Sequence, residues 1–265
     1  MILRSSFILL LIIMSLMNAN GQIGGLSGSK LNSLCVDPVD RNQLEFEPGF
    51  YYLTSRKGWN NDGRTINSFA SGDSLYAESA LRFRFTYGVT GKMEIGVNIP
   101  GDMSVGNWGF KYELYKHQKS AFAIMGGLNT PFGNGTRNRK SDENTIQAGL
   151  GAIYSWSPTE VFSTDFSIQG MQSFPEPEQA AAKYISVSAD VGYYLFDGKL
   201  QPAIGLGFQK FFYDNTRQYL LTLYPGLTLE TGKDFIITII HSVDLTGRNI
   251  KKQHITDLSF TLTIR

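Results

Sequence analysis

The stretch that decides the fold is Leu75–Pro100, LYAESALRFRFTYGVTGKMEIGVNIP. Taken two at a time, Leu75, Ala77, Ser79, Leu81, Phe83, Phe85 and Tyr87 share one side, and Tyr76, Glu78, Arg82, Arg84 and Thr86 share the other. A period of two belongs to a strand, because successive side chains leave a pleated backbone on opposite faces. After Val89-Thr90-Gly91 the alternation resumes, with Met93, Ile95, Val97 and Ile99 set against Lys92, Glu94, Gly96 and Asn98. The stretch predicts a hairpin with one apolar face and one face that carries charges.

The same alternation runs outward in both directions. Gly106–Tyr115, GNWGFKYELY, sets Trp108, Phe110, Tyr112 and Leu114 against Asn107, Gly109, Lys111 and Glu113. In Ser120–Thr130, Phe122, Ile124 and Leu128 oppose Ala121, Ala123, Gly127 and Asn129. His254–Arg265 ends the chain in the same way. Continued from Gln43, the pattern predicts about twelve strands, most of them about 9 to 14 residues long, against about 5 or 6 for a soluble strand. A tilted strand needs about 9 to 11 residues to cross a bilayer.

The connections sort by parity. Val89–Gly91, Lys116–Lys119, Ser157–Thr159, Asp197-Gly198 and Thr231–Asp234 have turn chemistry. The alternate connections Lys57–Ser74, Pro131–Asn144, Ser173–Ala182 and Thr246–Gln253 are predicted to be longer loops. Short turns on one side and long loops on the other are the layout of an outer-membrane barrel, with turns in the periplasm and loops outside. The aromatic residues Tyr87, Trp108, Tyr154, Trp156, Tyr193 and Phe212 fall near predicted strand ends, as interfacial girdles do. The fold class predicted is all-β, a single antiparallel up-and-down transmembrane β-barrel of about twelve strands.

Composition agrees with this class. The 265 residues include 13 Tyr, 18 Phe and 28 Gly, and Lys plus Arg (24) nearly equals Asp plus Glu (23), so no basic excess points to nucleic acid. One cysteine, Cys35, excludes an intramolecular disulfide framework and a multi-cysteine zinc site. Residues 1–21 have the layout of a signal peptide: Arg4, the apolar Phe7–Met17, and small residues at Ala19 and Gly21. That core falls short of the roughly 20 residues of a transmembrane helix. Residues 22–42 show no clean period and are a candidate plug, and 43–265 form the barrel. Lipids of the outer membrane and the barrel-assembly machinery are the expected partners, with a monomer as the expected state.

One block resembles a known family. Phe83–Pro100, Gly106–Tyr115 and Ala121–Gly135 are similar to the outer-membrane barrels of the meta-pathway phenol degradation family. The shared features are a strand closing on Tyr87–Thr90, Glu94–Gly96, Gly109–Tyr112 and Pro131–Gly133, and the match extends over about Leu81–Gly135. The resemblance implies export to the outer membrane and passage of small, hydrophobic or aromatic solutes. The chain ends in Arg265, whereas many such barrels end in an aromatic residue.

By parity Glu78, Arg82, Arg84, Glu94, Lys111, Glu113, Asp165, Asp190 and Asp257 project inward and are the lumen-lining candidates. Arginine matches a carboxylate geometrically, so Arg82 and Arg84 are expected to meet Glu94. Two uses of such charges compete, a constriction that selects solutes and a ladder that braces the wall. An outer-membrane lipase would need a serine and a histidine side by side on the lipid-facing wall, with a group to orient the histidine. His241 and Ser242 are neighbours in sequence and so point to opposite faces. His117, His241 and His254 lack ligand spacing, so no catalytic residue, metal or cofactor is predicted.

Overall fold

The computed structural model of the chain describes residues 23–28, 31, 33–68, 75–131, 146–174, 183–213, 216–232 and 234–265. Thirteen strands form one sheet that closes on itself: β1 (Leu44–Trp59), β2 (Thr65–Asn67), β3 (Tyr76–Thr90), β4 (Met93–Pro100), β5 (Val105–His117), β6 (Ser120–Pro131), β7 (Ile146–Trp156), β8 (Phe162–Phe174), β9 (Lys183–Tyr193), β10 (Leu200–Tyr213), β11 (Thr216–Gly232), β12 (Phe235–Arg248) and β13 (Ile250–Ile264). The three-residue β2 only folds back on the end of β1, pairing Trp59 with Thr65, so the wall itself has 13 − 1 = 12 strands. All pairings are antiparallel, and β13 closes the barrel on β1 from Leu44↔Ile264 to Trp59↔Ile250. Closure removes the exposed edge that an open sheet would present, which a membrane-spanning sheet cannot tolerate because lipid offers its backbone no hydrogen bonds.

The wall is inverted relative to a soluble protein. Large apolar side chains such as Leu81, Trp108, Leu128, Leu150, Ile168 and Leu206 are exposed on the outside, where lipid would cover them. Buried positions are mostly polar, among them Arg84, Thr86, Glu94, Lys111, Gln169, Ser186 and Asp190. In the β3–β4 hairpin, Leu81, Phe85, Tyr87 and Ile95 are exposed while Arg84, Thr86 and Glu94 are buried, so the alternation assigns both faces. On β6, Phe122, Ile124 and Leu128 face out, and Ala121, Ala123 and Asn129 face in.

One predicted loop is absent. Thr246–Gln253 was expected to be a long external connection, but β12 runs to Arg248 and β13 begins at Ile250. A single residue, Asn249, turns the chain with φ 51°, and its side chain donates to the Arg217 carbonyl. Asparagine tolerates that left-handed backbone, and the basic Lys251 and Lys252 belong to strand rather than loop. Gly101–Ser104 is likewise a short link, with Met103 at φ 53°. The predicted loops at Pro131–Asn144 and Ser173–Ala182 lie almost wholly outside the described residues, as does the signal peptide.

Candidate functional site

The interior is occupied by the chain's own N-terminal segment. The described residues of the segment 23–41 precede β1 and lie inside the wall, and the chain leaves it beside the β3–β4 turn, where the Asn42 N–H donates to the Gly88 carbonyl at 2.8 Å. The segment folds back on itself through a bridge between Gly28 and Leu34. Because it has almost no regular structure, its backbone groups need partners from elsewhere. The wall supplies them. Gln169 Oε1 accepts from the Ile23 N–H (2.9 Å), Ser155 Oγ from the Val36 N–H (3.0 Å) and Asp190 Oδ2 from the Ser33 N–H (2.6 Å). Thr86 Oγ1 donates to the Gly25 carbonyl at 2.7 Å, and Arg84 Nη1 donates to the Leu26 carbonyl.

A buried ion pair of the wall anchors several more of these bonds. Lys111 Nζ lies 3.1 Å from Glu94 Oε1, and both side chains are fully buried. The register pairs these residues directly across β4 and β5, so neither has to reach. Lys111 also donates to Ser27 Oγ (2.7 Å) and to the Cys35 and Asp37 carbonyls (both 2.9 Å). Glu94 accepts from the Ser27 N–H (2.8 Å) and Ser27 Oγ, and from the Val39 N–H at 2.7 Å. A buried ion pair is tolerable when further hydrogen bonds use up its remaining donors and lone pairs, and here the segment provides them. Outside this core, Lys116 Nζ meets Asp37 Oδ1 at 2.7 Å at an exposed position, which adds little.

Glycines make room for the segment. Gly96, Gly109, Gly127 and Gly149 are register partners in succession from β4 to β7, giving one unbroken row on the inner face. A Cβ on Gly96 would sit 1.8 Å from the Gly25 carbonyl oxygen, and one on Gly109 would sit 2.3 Å from that of Gly24. On Gly127 it would meet Ile23 Cγ2 at 2.8 Å. The inner wall is bare there because the segment's backbone lies against it. Ile23, Leu26 and Val36 then pack with Ala121, Ala123, Met125, Ile153, Met171 and Tyr184 into a small apolar core inside the barrel. Burial pushes the Cys35 thiol, which sits within the segment, up to about 11.

The nine lumen candidates fall into separate groups. Glu94, Lys111, Arg84, Asp190 and, through Ser155, Asp165 hold the segment. Arg82 instead bonds Asp257 at 2.9 Å between β3 and β13. Glu78 accepts from Tyr51 and Tyr76, and Glu113 is buried on β5. The expected meeting of Arg82 and Arg84 with Glu94 does not occur. Arg84 is claimed by Glu47 (2.7 Å) and Glu45 (3.3 Å) on β1, and Thr261 Oγ1 donates to Glu47 at 2.7 Å. β1 is a hydrogen-bonded neighbour of β3, with Glu47↔Arg84 in register, so those carboxylates reach Arg84 first. Alternation in Leu44–Leu53 does place Glu45 and Glu47 on one face, and that signal could have identified them.

His241 is exposed and bonds Thr256 Oγ1 at 3.0 Å, while Ser242 is buried on the inner face. The two cannot act as a nucleophile and base pair. Among the described residues no group of His, Cys, Asp and Glu is arranged to hold a metal ion.

The fold is that of a twelve-stranded, closed, antiparallel outer-membrane-type barrel whose interior is crossed by its N-terminal segment. It is similar to the crystal structure of the COG4313 outer membrane channel from Pseudomonas putida F1, with a TM-score of 0.67 at 15% identity, covering 86% of this chain and 98% of that one. It is also similar to the KdgM porin in complex with disordered oligogalacturonate, with a TM-score of 0.52 at 9% identity, covering 84% and 99%. No family model matches the chain, and no curated protein does.

Proposed function

We propose that this protein is an outer-membrane channel for small solutes, held closed in this form by residues 23–41. The observation that carries the reading is the way the segment is held. It is bonded by polar side chains from β3, β4, β5, β7, β8 and β9, and it is not part of the wall. A barrel that needed only to be filled could use bulky apolar side chains, as smaller barrels do. This one has a bare glycine row and a polar interior that would be wet if the segment left. The channel-like fold supports passage of a solute, and the resemblance of Leu81–Gly135 to the meta-pathway phenol degradation barrels supports a small, hydrophobic or aromatic one.

The experiment is single-channel conductance of the purified full-length chain in planar bilayers beside a variant lacking residues 23–41. The full-length chain is expected to be mostly closed, with brief openings, and the deletion variant continuously conducting. A deletion variant that folds, by heat-modifiable gel migration, yet stays silent would sink the proposal and favour a structural barrel. Uptake of small aromatic solutes into proteoliposomes containing the deletion variant then tests the solute class.

A further inference from the structure

The outer wall is dented where the inner glycine row lies. A concavity of about 1640 Å³ is lined there mostly by side chains that point to lipid, with Gly126, Ala148 and Gly170 on its floor. Its course follows one register row, in which Leu44, Tyr87, Phe110, Leu150 and Ile185 lie in order across the wall, with Lys210 the next residue of that row just beyond the lining. Leu44 starts β1 at the turn end of the barrel, and Ile185 and Lys210 lie near the loop ends of β9 and β10. Strands in such barrels tilt by about 35–45°, so a row perpendicular to them climbs from one membrane interface toward the other. The groove is therefore a diagonal apolar channel on the outside of the barrel.

Its two ends differ in charge. Lys183 lines the loop end beside Phe174 and Phe212, and Phe212 is its register partner. Lys210 stands one row away with Nζ 4.8 Å from the Phe212 ring centre. Among the described residues no cation lines the opposite end, at Leu44 and Tyr87. Two lysines at the interface, each on the outer face and next to an apolar trough, match an anionic head joined to a hydrocarbon tail. The geometry points to a binding site for an anionic membrane lipid, whose phosphate sits on Lys183 and Lys210 and whose acyl chain runs down the groove past Ile185 and Leu150. Gly170 keeps the trough open, since the nearest atom to a Cβ there would be the Tyr184 carbonyl oxygen at 3.8 Å. The inference needs only a membrane location for the wall and is independent of whether the lumen conducts.

The test is native mass spectrometry of the full-length chain released from a non-ionic detergent, with phosphatidylglycerol and phosphatidylcholine of identical acyl chains in equal amounts. Phosphatidylglycerol adducts are expected to survive preferentially, and each of Lys183→Gln and Lys210→Gln to reduce that preference by about fivefold. Gly170→Leu, which fills the trough, is expected to shed both lipids while the barrel keeps its heat-modifiable migration. Equal retention of the two lipids, or a preference that survives Lys183→Gln combined with Lys210→Gln, overturns the proposal. Retention of free decanoate with neither phospholipid also overturns it and makes the trough a solute site. Conductance of the same samples reads the channel separately, so loss of one result does not entail loss of the other.

Discussion

Glu94 and Lys111 face each other across β4 and β5 at 3.1 Å, fully buried, and each spends its remaining hydrogen-bonding capacity on residues 27–39. The pair thus ties a loose segment to a rigid wall. Removing one partner leaves the other charge buried and uncompensated, which costs about 3–5 kcal/mol where such pairs have been broken. The segment can relieve that cost by leaving the lumen and admitting water. Lys111→Met and Glu94→Gln are each expected to raise the open probability in bilayers and expose residues 23–41 to protease, with the wall still folded. Unchanged conductance and protection in both would show that the pair braces the wall and does not latch the segment.

The glycine row gives a steric version of the same argument. A valine at Gly109 would put its Cβ 2.3 Å from the Gly24 carbonyl oxygen, closer than any real contact, while leaving the lipid face untouched. Gly109→Val is expected to displace the segment without unfolding the barrel, and to conduct like the deletion of residues 23–41. A Gly149→Ala change meets Met171 Cγ at 2.6 Å and the Gly170 carbonyl oxygen at 2.9 Å, both atoms of the wall, and should strain β7 and β8 locally while leaving the segment in place. Circular dichroism and gel migration check the fold, and conductance checks the segment.

The period of two made the wall legible, because lipid and lumen impose opposite demands on alternate residues such as Ile95 and Glu94. Strand ends were less legible. Lys251 and Lys252 suggested a loop, yet in a barrel rising past the membrane they can sit in strand: Lys252 lies over the Trp59 ring at 5.7 Å and Lys251 over Tyr76 at 4.5 Å. Inward charges could be named by parity, but their pairing depends on which strands are neighbours at closure. Arg84 meets Glu47 because β1 is β3's neighbour, and the sequence of Leu81–Pro100 alone offers only Glu94. Residues 23–41 have no period because they do not line a surface. What they touch was written elsewhere, in the inner glycines at 96, 109 and 127.

Cys35 reports on the segment through its own chemistry. Thiol reagents attack the thiolate, and burial holds that form off until about pH 11, against an ordinary value near 9. At pH 8 the folded protein should therefore label with maleimide far more slowly than the urea-unfolded chain. Raising the pH toward 11 should speed labelling of the folded form, because the proton is lost only there. Lys111→Met should restore ordinary reactivity at pH 8 if it frees the segment. Fast labelling of the unaltered folded protein at pH 8 would place Cys35 in open water.

Leu150 tests the outer face. It is 72% exposed near the middle of β7, at a height where a membrane wall meets hydrocarbon. Leu150→Arg is expected to cost about 2–4 kcal/mol, the range for a cation on a barrel's lipid face near the midplane. Leu227→Arg on β11 should cost a similar amount, because the side chain points the same way. Thr228→Arg, one residue on, turns toward the lumen and should be milder, since water or polar neighbours can solvate it. Urea midpoints for folding into vesicles measure all three. Equal costs at Leu227 and Thr228 would mean that the wall does not separate a lipid face from a polar one.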